Sequence, residues 1–299
     1  MKIGVIGLGD IAQKAYLPVL TAQPGLELHL QTRTPATLDR IGDAHRLPHR
    51  HTSLAVLLDQ GLDAAFVHAP TEHHVEITEQ LILAGVPAYV DKPLARDLDG
   101  ARHLVELAEQ RGVPLMTGFN RRYAPGYAQC LDHPRDLILM QKNRIGLPEE
   151  ARGMVFDDFI HVVDTLRFLA PGPVEHIQVS ARVRRGLVHH LVLHLSGDGF
   201  SAIGSMNRLS GSVEESLDVS GDGSRRQVLN LAEVIDHKGQ PTLRRRGDWV
   251  PVARQRGIEQ VTLAFLDAVR SGRPLDARDS LRTHELCERI VTEIGAQAA

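Results

Sequence analysis

The 299-residue sequence predicts an α/β protein of two domains. The first, residues 1–121, is a doubly wound parallel sheet; the second, 122–299, is an α+β domain with an open, mostly antiparallel sheet. Three observations predict this. From Lys2 to Phe119, apolar runs of strand length alternate with amphipathic segments of helix length. A glycine-bearing turn, Gly7-x-Gly9-x-x-Ala12, joins the first run to the first helix. Past Arg121, apolar and polar residues alternate singly between glycine-rich turns, the pattern of half-buried antiparallel strands.

In chain order, Lys2–Ile6 is a β-branched run suited to a buried parallel strand, and Ile11–Ala22 a helix closed by Gly25. "LELHLQT" is the second strand, followed by a charged helical segment ending near Asp43. "LDAAFVHAP", "VPAYVDKP" and "VPLMTGF" are further strands, separated by helices over Glu72–Ala84 and Asp99–Arg111. Repeated strand–helix units imply right-handed crossovers. In the second half the strands are 137–144, 174–183, 187–196, 200–208, 215–221 and 226–235, with "SGDGF", "SGDGS" and "HKGQ" as turns. Residues 257–270 and 280–294 read as two closing amphipathic helices.

Composition excludes several classes. Hydrophobic content of 42% and charged content of 24% are ordinary for a globular enzyme. A net charge of −3 and 4% aromatic residues give no basis for nucleic acid or an anionic membrane as partner. Cys130 and Cys287 are the only cysteines and lack metal or disulfide spacing. The chain opens directly on a strand and no apolar run reaches bilayer length. The expectation is a soluble, cytoplasmic protein.

The glycine turn gains meaning from its setting. Gly7 permits a tight turn, Gly9 lets the backbone approach a pyrophosphate, and Ala12 lets helix pack on strand. An NAD-preferring site carries an acid at the end of the second strand, about 20 residues on. Here Gln31, Thr32, Arg33 and Thr34 stand there, and Glu27 lies too early. Arg33 beside hydroxyl donors suits a 2′-phosphate, so NADP(H) is favoured over NAD(H). In "FDDFIHVVDTLRFL", Asp157, His161 and Asp164 form a polar stripe beside a broad apolar arc. By geometry alone that stripe fits a surface as well as a pocket. Asp158 is read as a cap or a solvated residue. "DAHRLPHRHTS" holds His45, His49 and His51, but no cysteine or carboxylate completes a ligand set, so no metal site is expected. His189, His190 and His194 decorate strand faces, and the arginines at 244–246 form a solvated hairpin edge.

Together "GVIGLGDIA", "APTEHH", "VDKPLA", "GFNRRYAP" and "DDFIHVVDTLRFL" resemble the Gfo/Idh/MocA oxidoreductases, in family order along essentially the whole chain. Among these the wording is most similar to the MviM-type branch. The resemblance implies a Rossmann domain, an α+β domain that joins copies into a dimer or tetramer through its sheet, and hydride exchange between NAD(P) and a sugar, polyol or related carbonyl compound. The family lysine falls on Lys92, with Asp91 where Glu is usual and with Pro93 matching. The family's aspartate and catalytic histidine fall on Asp157 and His161, and the acid three further on is Asp164. His74 matches a histidine near the nicotinamide. Cofactor contacts are then expected from Gly7, Gly9, Asp10, Ile11, Ala12, Arg33, Thr34, Pro70, His74, Asp91, Lys92 and Asn120. Substrate contacts are expected from Lys92, Arg121, Asp157 and His161. The loop "EEARGMVF" carries only Gly153 where the family is richer in glycine.

Chemistry supports these roles. Alcohol oxidation removes a hydroxyl proton as hydride leaves carbon, and a near-neutral imidazole suits that transfer. Asp157 can orient His161, and Lys92 at a strand's carboxyl end can polarise the substrate oxygen. Two other readings stay open: a redox-silent NAD(P)-binding regulator, and an enzyme using bound NAD transiently to cleave or rearrange a sugar.

Overall fold

The computed structural model describes residues 1–298. The chain divides into two units, 1–119 with 258–282, and 120–257 with 283–299. The first unit breaks after residue 119, and residues 258–282 group with it by contacts. The reason is packing: Phe265, on the helix Ile258–Ser271, lies edge-on to Phe66, with ring centroids 5.3 Å apart.

In the first unit six strands, β1 (Lys2–Ile6), β2 (Glu27–Gln31), β3 (His49–His51), β4 (Ala64–Val67), β5 (Ala88–Val90) and β6 (Leu115–Thr117), form one sheet. Its order is β3-β2-β1-β4-β5-β6 and every pair is parallel. Strands β4 and β5 are buried throughout, so they are continuous apolar runs. Fully burying each Ile, Leu, Val or Phe in such a sheet contributes about 1.5–3 kcal/mol. The chain runs outward from β1 through β2 to β3, then crosses to β4 on the other side of β1. That reversal leaves a crevice at the carboxyl ends of β1 and β4, where open α/β sheets bind ligands. The short edge strand β3, His-Arg-His, carries no apolar residue and was not expected.

In the second unit eight strands follow: β7 (Leu137–Asn143), β8 (His176–Arg184), β9 (Leu187–Gly197), β10 (Phe200–Asn207), β11 (Glu214–Gly221), β12 (Ser224–Leu229), β13 (Glu233–Lys238) and β14 (Gln240–Arg245). Their order is β14-β13-β12-β11-β7-β10-β9-β8, antiparallel except for β7 with β10. The single strand expected over 226–235 is in fact two. Asn230 and Leu231 both adopt left-handed φ, 50° and 58°, and turn the chain between β12 and β13. The arginine-rich edge is β14, exposed at every position.

One face of this sheet carries the helix Ile160–Leu169. Gly204 in β10 makes the close approach possible, since a Cβ there would lie 2.8 Å from Leu166 Cδ1. The segment Met154–Phe159 leading into this helix is wound as a π-helical turn, with the Ile160 amide bonding Val155 O. Such turns recur at functional sites.

Candidate active site and its dinucleotide cleft

The first unit supplies a cleft. Gly7 leaves β1 with φ +84°, and a Cβ there would sit 2.6 Å from Ala69 Cα, so only glycine fits. Gly9 is different: nothing lies within 4 Å of where its Cβ would stand, leaving the backbone open to a ligand. Asp10 and Ile11 are exposed at the start of the helical segment, Asp10 paired with Lys14 at 2.6 Å. Ala12 is fully buried and opens a π-helical turn, Ala12–Tyr16. The cleft is about 500 Å³ and is lined among others by Gly7, Arg33, Ser53, Pro70, His73 and Glu76. The open glycine backbone and an arginine at the end of β2 fit an NAD(P) dinucleotide. Thr34 is exposed at the N-cap of the helix Pro35–His45.

Arg33 Nη2 lies 3.3 Å from His73 Nε2, so an adjacent imidazole helps aim the guanidinium. His73 went unnoticed in the sequence because His74 beside it matched the family pattern. His74 is in fact buried, with Nδ1 2.8 Å from Pro93 O and Nε2 2.9 Å from Ala69 O. Burial lowers its pKa, against the pull of the two carbonyls. A neutral imidazole donates one proton, so His74 staples the β4 loop to the turn after β5 and serves one carbonyl at a time.

Beside that turn lies a buried polar group that the sequence did not reveal. Tyr16 and Tyr89 share a hydroxyl–hydroxyl hydrogen bond of 2.7 Å, and the His68 ring packs 4.1 Å from Tyr16. His68 Nδ1 stands 3.8 Å from Asp91 Oδ2, an ion-pair distance rather than a hydrogen bond. Asp91 Oδ1 accepts from the Lys92 amide at 2.8 Å. Burial pushes the Asp91 carboxyl up, but His68 and Lys92 outweigh it and hold it below its ordinary range. Asp91 therefore stays ionised and braces the backbone that presents Lys92. The Lys92–Pro93 peptide is cis.

In the second unit the polar stripe of the π-turn and helix does not behave as one surface. Asp157 is exposed, His161 is buried at 9% exposure, and Asp164 is buried at 1%. Asp164 accepts from both Arg122 Nε and Nη2, at 2.9 and 2.6 Å, and from Thr283 Oγ1 at 3.2 Å. It anchors the helix. Asp158, expected to cap or face water, instead accepts from Arg144 at 2.7 and 2.8 Å and from Arg208 at 2.8 Å, with Lys142 Nζ at 3.1 Å.

Arg121, expected to contact substrate, is buried and donates to Glu215 through Nε at 2.8 Å and Nη2 at 2.7 Å. Tyr127 donates to the same carboxylate at 3.0 Å, and Lys142 lies 3.6 Å away. Burial pushes Glu215 up, but Arg121 and Lys142 overcome it and hold the carboxyl at about 2. Burial and Arg121 bring Lys142 down to about 8, against Glu215 and Asp158. The signal for this cluster was in the alternation. Lys142 shares the buried face of β7 with Ile138 and Met140, and Glu215 that of β11 with Leu217 and Val219. Asn120 donates to Arg256 O at 2.7 Å, so its amide nitrogen holds the chain where the second unit begins.

A parallel sheet with a glycine-cradled cleft at its switch point, followed by an α+β unit with a histidine-bearing helix, defines a dinucleotide-binding α/β oxidoreductase. Residues 1–119 match the model of the oxidoreductase family with an NAD-binding Rossmann fold, and residues 128–238 the YceM-like C-terminal domain. The chain belongs to the Gfo/Idh/MocA oxidoreductase family. It is 36% identical to YceM of Salmonella typhimurium, over 91% of this chain and 90% of that one. It is 38% identical to the myo-inositol dehydrogenase Hyg17 of Streptomyces leeuwenhoekii, over 90% of this chain and 70% of that one. Among solved structures, the dehydrogenase MviM of Clostridium difficile superposes with a TM-score of 0.93 at 31% identity, covering 98% of this chain and 99% of the other. No helix among the described residues is long and apolar enough to cross a membrane.

Proposed function

We propose that this chain is an NADP(H)-preferring oxidoreductase acting on the CH–OH group, or the matching carbonyl, of a sugar or polyol. The observation that carries the reading is the cleft of about 500 Å³ at the sheet's switch point, where glycine backbone and Arg33 meet. Glu76 is the only acid along its lining, and it stands on the helix after β4 rather than at the end of β2. That arrangement favours a 2′-phosphate over a bare ribose hydroxyl. The nicotinamide, when bound, supplies or accepts the hydride.

Lys92 polarises the substrate oxygen, held in place by the ionised Asp91 at its own amide. His161 takes the hydroxyl proton on oxidation and returns it on reduction, with Asp157 one turn earlier orienting the ring. Arg121 supports this helix indirectly, because its donors at Nε and Nη2 are committed to Glu215. A sugar or polyol substrate agrees with the name of the inositol-dehydrogenase relative. Copies associate through the open face of the eight-stranded sheet, which leaves Leu137 and Leu139 exposed. The protein works in the cytoplasm, where Cys130 and Cys287 stay reduced.

The test is a panel of polyols, sugars and uronic acids assayed with both cofactors by nicotinamide absorbance. Turnover of at least one polyol or sugar, faster with NADP⁺, is expected. Cofactor binding without turnover of any compound in the panel would remove the enzymatic reading.

A further inference from the structure

The parallel pairing of β2 with β3 assembles a cluster that neither strand shows alone. Register sets His29 opposite His49 and Gln31 opposite His51. Because side chains alternate along a strand, Glu27, His29, His49 and His51 then project from one face of the sheet edge. Glu27 Oε1 lies 2.9 Å from His29 Nε2 and 3.9 Å from His49 Nε2. The His29 and His49 rings stack with centroids 4.4 Å apart, and His51 lies nearly parallel to His29 at 5.3 Å. Donor atoms of Glu27, His29 and His49 all fall within 4.8 Å of one another.

We propose that Glu27, His29 and His49 form a binding site for a divalent transition ion of the zinc class, with His51 behind it. Bonds of about 2.0–2.2 Å to zinc put neighbouring ligands roughly 3.3–3.6 Å apart in a tetrahedron. The observed 2.9 and 3.9 Å bracket that spacing. Two imidazoles and one carboxylate suit zinc, cobalt or nickel and do not suit magnesium or calcium, which take oxygen ligands.

His51 supplies what ligating histidines ordinarily have, a partner on the other ring nitrogen. His29 Nδ1 sits 3.1 Å from His51 Nε2. In the metal-free state the self-consistent arrangement has His51 donating to His29 and His29 donating to Glu27. With an ion bound, the His29 proton resides on Nδ1 and is donated to His51, which frees Nε2 for the metal. The stacked His49 ring must turn to aim its lone pair. Its side chain is 44% exposed, so space exists for that rotation. His29, at 2% exposure, is the fixed member of the site.

The ion would pin a weak element. β3 is a three-residue edge strand, and its continuation, Thr52 and Ser53, lines the dinucleotide cleft. Tying His49 to β2 therefore stiffens one wall of that cleft.

The experiment uses the full chain, stripped with a chelator and titrated with Zn²⁺ by calorimetry and with Co²⁺ by its visible absorption. One ion per chain is expected, with a tetrahedral cobalt spectrum and a raised melting temperature. His29→Ala and His49→Ala should each weaken zinc binding at least about tenfold, and His51→Ala by about 10-fold as an outer partner. His45→Ala, on the preceding helix, should leave affinity unchanged. Should His29→Ala fail to fold, the exposed His49→Ala and a Glu27→Gln variant carry the test. Absence of binding, or binding that survives His49→Ala and Glu27→Gln at wild-type affinity, overturns the site.

Discussion

The two sheets of this molecule handle polar groups in opposite ways. The parallel sheet of the first unit is apolar through its central strands β4 and β5 and, apart from the histidines on its β2–β3 edge, gathers its polar chemistry at the strand ends, around Gly7, Arg33, Asp91 and Lys92. The antiparallel sheet of the second unit carries charge inside its buried face, where Arg121, Lys142, Asp158 and Glu215 interlock. A sheet buried on both faces has nowhere to satisfy a charge except at its ends, whereas a sheet with one open face can fold a compensated network beneath its helix. Chemistry at strand ends is therefore available to ligands, and charge within the face is spent on holding the helix that bears His161.

That contrast can be broken where it is sharpest. Removing one partner of a buried, hydrogen-bonded ion pair costs about 3–5 kcal/mol, so Glu215→Ala should lower unfolding free energy by that order in denaturant titrations. A surface-like response, under about 1 kcal/mol, would mean that the network is solvated and the contrast false.

The same network sets the pH dependence. Glu215 titrates at about 2 in the fold, below its ordinary 4.5. Its contribution is complete above pH 4.5 and is lost as pH falls toward about 2, where the unfolded chain binds the extra proton first. Acid unfolding followed by circular dichroism should flatten in that window in Glu215→Gln, with a difference of up to about 3 kcal/mol. Lys142 gives a slope of the same sign at higher pH for the opposite reason: its pKa is brought down to about 8 from 10.5, so its charged form, unlike that of Glu215, burdens the fold below pH 8. Stability should rise with pH across that interval in the native protein, and Lys142→Met should abolish the rise.

At the strand ends the expected effects are smaller and fall on ligands. A charge-assisted hydrogen bond contributes about 1.5–3 kcal/mol. Arg33→Asp should therefore weaken NADP(H) by about tenfold or more and reverse the preference, as measured by fluorescence titration. A tenfold NAD(H) preference in the native protein would contradict the role of Arg33. Smallest of all should be Arg270→Ala, which removes an exposed pair with Asp267 and should shift stability by less than about 0.5 kcal/mol.

How much of this was legible follows the same division. The glycine turn, the apolar runs and the alternation are local patterns, so β1, β2 and β4–β11 were foreseen within a few residues. β3 was not, since His-Arg-His has no apolar residue to mark it and exists by pairing with β2. β12 and β13 were merged because their turn uses Asn230 and Leu231 instead of glycine or proline. At the site, Lys92 and His161 were named from motif, but Asp158 was misjudged. Its partners Arg144, Lys142 and Arg208 are brought to it by the sheet, at 14 to 50 residues' separation. The Glu27–His29–His49 cluster escaped for the same reason, since the parallel pairing of β2 and β3 brings His49 to residues 20 and 22 positions earlier.

The proposed division of labour gives Lys92 and His161 roles on the substrate and leaves cofactor binding to the cleft. Its most direct test is steady-state turnover of the best polyol from the panel by Lys92→Ala and His161→Ala, alongside NADP⁺ affinity measured on the same preparations. Each variant should lose about 10²–10⁴-fold in kcat while its NADP⁺ dissociation constant stays within about twofold of wild type, as expected for groups acting on the transition state rather than on cofactor binding. Wild-type turnover in either variant, or loss of cofactor affinity in step with loss of turnover, would contradict it.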